Sequence, residues 1–324
     1  MKYPEKYQVT QINIQEALFK QTQLGGTFNK KPYPFVLKNY QDNFTKLINL
    51  DDVINYFREN GISWWNGEEP TRHTLSSQIA CLNHLFAIRK DPVAVLTIAR
   101  MIDPEFDGVM LLDNDEKEWK GYISFEVVSE TDHLNERRGK NKKLTRGSQC
   151  TSIDAVILAT KKEKNILLAI EWKYVEHYSN FDKSKGKSGE TRLNRYSGSD
   201  NVIDPNLIQK SNQLKDVIDY PGSVYFFEPF YQLMRQTLWC EQMIKYKKEE
   251  KIKADDFIHV HVVPTNNQEL RGYYKCSGLD MHTTWENQLK NPAKYVLISP
   301  DTLLANLPSK YNKLKENLAK RYWQ

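Results

Sequence analysis

Residues 151–175 read TSIDAVILATKKEKNILLAIEWKYV. Two apolar runs flank a short charged connection, Lys161-Lys162-Glu163-Lys164, which is the pattern of a β-hairpin. A symmetric hairpin centred between Lys162 and Glu163 pairs residues whose numbers sum to a constant, and Asp154 then faces Glu171. Their Cβ atoms would lie roughly 5 Å apart across the ladder. Alternation puts Lys173 on the face of Glu171 and sends Ile170, Trp172 and Tyr174 to the other. Two carboxylates so placed repel by roughly 3 kcal/mol at an effective dielectric near 20. Lys173 offsets part of this, and a divalent cation would offset more. Oxygen ligands with room for water suit Mg²⁺. The rival reading is a half-buried salt bridge from Lys173 to one of the acids.

The flanking sequence supplies the rest of an α/β (α+β) pattern. A helix is expected over 51–61, with acids at its start and a glycine stop at Gly61. Leu75, Ile79, Leu82, Leu85 and Phe86 form an apolar stripe on a second helix, and Pro92 starts a third running to about Ile102. The period then shortens to two: strands are expected over 122–128, 150–160 and 165–175. Helices follow near 207–220 and 230–246, then strands over 257–263 and 295–298 and a terminal helix from about Ser309. Helices, three strands, helix and strand imply a mixed central sheet flanked by helices. The expected organisation is a helical N-terminal region over 1–70, a core over 71–300 and a C-terminal helix over 301–324.

With 324 residues, the chain can bury a core without disulfide or metal staples. It has no apolar run long enough for a membrane span, and no apolar leader follows Met1. Four scattered cysteines form no CxxC pair, so a reducing cytoplasm is expected. The 46 basic residues nearly balance the 41 acidic ones, but their distribution is uneven. Arg137, Arg138, Lys140, Lys142, Lys143 and Arg146 crowd one stretch, and Lys183, Lys185, Lys187, Arg192 and Arg195 another. Local basic loops in a balanced chain suit a polyanion groove; solvated loops are the alternative. Gly186-Lys187-Ser188 lacks the earlier glycine and feeding strand of a phosphate loop. His259-Val260-His261 lacks the third histidine of a triad, and there is neither an HExxH motif nor a Rossmann glycine fingerprint.

Asp154 followed by Glu171-x-Lys173 on consecutive strands resembles the PD-(D/E)xK nuclease superfamily, whose helix, three strands, helix, strand core has the element order above. Ile153 stands where that family usually has proline. More narrowly, Ser76-Ser77-Gln78, Thr151–Ala155, Glu171–Lys173 and Gln232–Gln236 resemble a branch of bacterial restriction-endonuclease-like proteins. The resemblance implies a restriction-endonuclease-like core in which Asp154 and Glu171 hold Mg²⁺, with Mn²⁺ expected to substitute. It also implies that the Trp172 carbonyl adds a ligand and that Lys173 orients the attacking water. Gln78 stands where many members carry an acid or Gln, and Glu126 is a candidate second-metal ligand; each could equally be a structural residue. Arg235 and Tyr196 are weaker candidates.

These expectations converge on a Mg²⁺-dependent DNA endonuclease in restriction, acting on double-stranded DNA with Arg137, Arg138, Lys140, Lys142, Lys143, Lys185, Lys187, Arg192 and Arg195 on the phosphate backbone. Symmetric cleavage of both strands would favour a homodimer. The rivals are a repair or recombination nuclease on branched or single-stranded DNA, and an idle nuclease-fold module that only binds nucleic acid or a partner.

Overall fold

The computed structural model describes residues 6–65, 67–136, 144–147, 150–198 and 204–324. Its main helices are α1 (Lys6–Leu18), α2 (Leu50–Glu59), α3 (Ser77–Leu85), α4 (Pro92–Ile102), α5 (Gly186–Ser197), α6 (Phe230–Lys245) and α7 (Asn312–Tyr322). The central sheet contains β1 (Gly108–Met110), β2 (Ser124–Val127), β3 (Ile153–Lys161), β4 (Lys164–Trp172), β5 (Asp256–Val262) and β6 (Tyr295–Ile298). Its order is β6-β5-β4-β3-β1, with β2 also on the β3 edge. β4, β5 and β6 run parallel, while β3 is antiparallel to β4, β1 and β2, so the sheet is mixed as expected.

Local chemistry explains the framing helices. Ser76 Oγ caps α3 by accepting from Ile79 N at 3.3 Å, and Asp91 caps α4 ahead of Pro92 at its first position. Alternation then sorts the strands between two apolar layers. Ala155, Ile157, Ala159, Leu168, Ile170 and Trp172 pack with α3, α4 and α7, a layer that also takes Val53, Tyr56 and Phe57 of α2. Val156, Leu158, Leu167 and Ala169 pack against Leu233, Met234, Leu238 and Trp239 of α6. Each of the larger aliphatic side chains among them contributes roughly 1.5–3 kcal/mol by leaving water. No helix among the described residues is long and apolar enough to cross a membrane.

The hairpin register is the expected one: Ala155 pairs with Ile170 and Lys161 with Lys164. The connection is tighter than four residues, because Lys162 and Glu163 alone turn the chain at φ 51° and 64°. Two left-handed residues make the turn whose twist matches antiparallel strands. Two expectations need correction, and one strand is new. The helix expected over 207–220 is one turn, Leu207–Lys210. Ser211 Oγ accepts from Leu214 N at 2.7 Å, and the following backbone pairs with 288–290 through Lys215 N to Gln288 O and Lys290 N to Gln213 O. Strand β1 was not anticipated, since three residues are too short to show a period. The strand expected over 122–128 is only Ser124–Val127, and Glu126 within it has φ 50°.

Replacing Lys162-Glu163 with Asn-Gly should stabilise the fold, because a non-glycine residue in the left-handed region costs about 1 kcal/mol. Urea unfolding should show a higher midpoint with an unchanged slope; a lower midpoint would mean that the two side chains contribute more than their backbone strain costs.

Candidate active site

Glu171 is the residue around which the site is organised, and it is 1% exposed. Alternation on β4 turns it toward α6, where Gln232 and Gln236 stand one helical turn apart. Glu171 Oε1 accepts from Lys173 Nζ at 2.5 Å and from Gln232 Nε2 at 2.7 Å, and Oε2 accepts from Gln236 Nε2. Gln232 Oε1 in turn accepts from Lys173 Nζ at 2.6 Å, so the lysine is held by both partners. Gln236 Oε1 meets His259 Nε2 at 3.0 Å. Because the Gln236 amide donates to Glu171, its oxygen must accept, and His259 must donate. Burial pushes His259 down to about 3, so this histidine is a neutral prop for the glutamine.

Lys173 is 5% exposed. Burial pulls its ammonium down, but Glu171, then Tyr178, Glu176 and Asp154, offset this and leave it well above the ordinary lysine value. It is therefore a buried, permanent cation. His261 pairs with Glu171 on the neighbouring β5 and is also neutral, pulled well down by burial and then by Lys173.

Asp154 stands one rung beyond the Ala155–Ile170 pair, and its Oδ2 accepts from Trp172 N at 2.7 Å. It is half-buried, and Oδ1 has no hydrogen bond among the described residues. Burial raises its proton affinity well above the ordinary carboxylate range, and the charges of Glu171 and Glu126 raise it further. Glu126 is 8% exposed and is likewise raised, by burial first and Glu171 in addition. Its Oε1 accepts from Gln78 Nε2 at 2.8 Å and its Oε2 from Ser152 Oγ at 3.0 Å. Gln78, Glu126 and Asp154 line one small cavity with Cys81. Burial lifts the Cys81 thiol well up, and Asp154, Glu126 and Glu171 each lift it further.

The left-handed Glu126 backbone is held from below. Arg146 donates to the carbonyls of Phe125 at 2.5 Å and Glu126 at 3.2 Å. It is also paired with the buried Asp115 at 2.9 Å, which Arg89 approaches at 3.3 Å. Arg146 is thus a strut of the site rather than a rim cation, a role its place in a basic run conceals.

Of the other expected contacts, Lys185 and Lys187 are exposed at the start of α5, while Arg192 and Arg195 are half-buried on it. Arg137, Arg138, Lys140, Lys142 and Lys143 lie outside the described residues. Tyr196 and Arg235 meet at Glu136, which accepts from the tyrosine hydroxyl at 2.8 Å and lies 3.9 Å from the guanidinium. Glu136 also accepts from Thr151 Oγ1 at 2.9 Å, so this cluster ties both roots of the basic loop to α5 and α6. The sequence reading did not assign roles to Gln232 and Gln236; their four-residue spacing on a buried helix was the available signal.

No three His, Cys, Asp or Glu side chains among the described residues gather into a set that could hold a metal ion. The arrangement still fits a hard divalent cation held by fewer protein oxygens and completed by water. Asp154 Oδ1 is free of hydrogen bonds among the described residues, and Glu171 Oε2, with one donor on it, keeps a lone pair. Burial first, and the charge of Glu171 after it, raises the proton affinities of Asp154 and Glu126.

A family model described as Restriction Endonuclease associating with ARP matches residues 13–323. No curated protein and no solved structure matches the chain.

A carboxylate whose folded value is raised binds protons more tightly folded than unfolded, so stability falls as pH rises from the unfolded value, near 4, through the folded one. Asp154→Asn should therefore melt higher than the native protein at pH 8 in the presence of a chelator, with the gap closing toward pH 4. Thermal melts at both pH values check this, and a variant less stable at pH 8 would show that the charge is compensated.

Proposed function

The chain belongs to the restriction endonuclease family so described, and on that premise we propose that it is a Mg²⁺-dependent endonuclease that hydrolyses phosphodiester bonds of duplex DNA by in-line attack of water. The observation that carries the reading is the buried Lys173–Glu171 ion pair next to Asp154, whose Oδ2 accepts from Trp172 N and whose Oδ1 has no hydrogen bond among the described residues. Asp154 and Glu171, with the Trp172 carbonyl, are the residues that would hold the cation, and Glu126 is the candidate for a second. When bound, such an ion supplies Lewis-acid activation of water and compensation of phosphate charge.

The protein's own contribution is orientation. Gln232 and Gln236 fix the Glu171 carboxylate so that its remaining lone pair does not wander. Lys173, anchored at two points, presents a charge that needs no reorganisation as negative charge builds on the phosphate oxygens. Gln78 and Ser152 hold Glu126 in the same way. Lys185 and Lys187 extend from α5, the helix that follows β4, and supply phosphate contacts that position a duplex without reading its sequence. Two symmetry-related copies would deliver one cut to each strand.

Incubation of methylated and unmethylated plasmid with Mg²⁺ or EDTA tests the reading. Cleavage is expected with Mg²⁺, less efficiently with Mn²⁺, and not with EDTA. Lys173→Ala should lose about 10²–10³ in rate, and Asp154→Ala should fall to background, with DNA binding kept by both. Undiminished Mg²⁺-dependent cleavage by either variant would place the chemistry elsewhere. Cleavage confined to branched DNA would make the protein a repair nuclease.

Lys185→Ala with Lys187→Ala should flatten the dependence of log K on log salt by about two, at roughly 0.9 per phosphate contact. An unchanged slope in a filter-binding titration would leave both lysines merely solvated.

A further inference from the structure

A cavity of about 850 Å³ opens between the end of α1, the segment 41–47 and α7. Its lining combines apolar walls with a rim of positive charge. Phe19, Phe44, Leu318 and Tyr322 give it apolar and aromatic walls. Lys20, Lys46, Lys313 and Lys320 are exposed around it, and none of the four ammonium groups makes an ion pair among the described residues. Asp42 is the one acid among the lining residues.

The lining also holds a buried charge with no ion-pair partner among the described residues. Arg321, also in the lining, is 7% exposed. Its guanidinium lies 5.2 Å from the Phe19 ring centre and 4.9 Å from that of Tyr322. It donates to Gln15 Oε1 at 3.0 Å, to Asn43 O at 2.7 Å, to Asn43 Oδ1 at 2.5 Å and to Thr74 O at 3.5 Å. Every one of these acceptors is neutral. Hydrogen bonds to neutral oxygens satisfy the N–H groups, but they leave the net charge standing, and an isolated buried charge is costly until an opposite charge reaches it. Elsewhere in this molecule a buried arginine meets its acid: Arg89 and Arg146 share Asp115.

We propose that this cavity binds a nucleotide, with its flat base against the aromatic wall and its phosphate among the lysines and Arg321. The volume lies within the range of small-molecule pockets, roughly 300–1,000 Å³, and five cations against one acid select an anion. Aromatic walls select a planar body for that anion, which inorganic phosphate lacks. The shared chemistry is base plus phosphate, whether from a free nucleotide or from the end of a nucleic-acid chain; of these we commit to the free nucleotide. The site uses none of the carboxylate-site residues, so it stands or falls independently of the nuclease reading.

Calorimetric titration of the full chain at low salt tests it, with ATP, AMP, adenosine, inorganic phosphate and a short single-stranded oligonucleotide as separate probes. ATP or AMP should bind with Kd below about 1 mM, and adenosine and phosphate at least about tenfold more weakly. Lys46→Ala, Lys313→Ala and Lys320→Ala combined should weaken nucleotide binding about tenfold or more while circular dichroism stays native, since exposed lysines contribute little stability. Arg321→Met should abolish binding, but because that residue is buried, the lysine variant decides the matter. Absence of ATP and AMP binding, or equal affinity in the triple-lysine variant, would overturn the proposal. So would oligonucleotide binding that depends on the lysines when mononucleotides do not bind, because the cavity would then be part of a nucleic-acid surface.

Discussion

Burying the Glu171 carboxylate is the constraint from which the rest of the site follows. A charge at 1% exposure survives only if its lone pairs are met and its sign is answered. Lys173 answers the sign, and the amides of Gln232 and Gln236 meet the lone pairs. That demand fixes where α6 lies on the sheet, since two glutamines a turn apart must reach the same carboxylate. His259, kept neutral by its burial, backs Gln236. Removing Lys173 or Glu171 singly would strand the other, a loss of the order of 3–5 kcal/mol when a buried pair is broken.

Across the same sheet edge the logic reverses. Asp154 in β3 and Glu126 in β2 are raised in proton affinity, by burial first and then by the charge of Glu171. Arg146 holds Glu126 in a left-handed backbone, so local strain lies next to the buried acids.

The core of this arrangement was legible in the sequence because strand alternation and hairpin symmetry are arithmetic. A register in which Ala155 meets Ile170 follows from two apolar runs and the position of the turn. The mixed sheet and its helices followed from periods of 3.6 and 2. What stayed hidden depends on distant contacts. Gln232 and Gln236 belong to a segment that carries the family resemblance, but their hold on Glu171 shows only once α6 docks on β4. Arg146 read as one more basic loop residue, yet its partners Asp115 and Phe125 lie 31 and 21 positions away. The helix expected over 207–220 dissolved because Ser211 ends it and the 288–290 segment takes its backbone hydrogen bonds.

The central claim is that Asp154 and Glu171 complete their charge balance with a divalent cation. Titrating Mn²⁺ into the purified protein while following the free-ion paramagnetic resonance signal tests this without DNA and without turnover. The account predicts that the native chain depletes free Mn²⁺ at about one or two ions per chain, that Asp154→Asn abolishes the depletion, and that excess Mg²⁺ competes it away. Equal Mn²⁺ uptake by the native chain and by Asp154→Asn would contradict it.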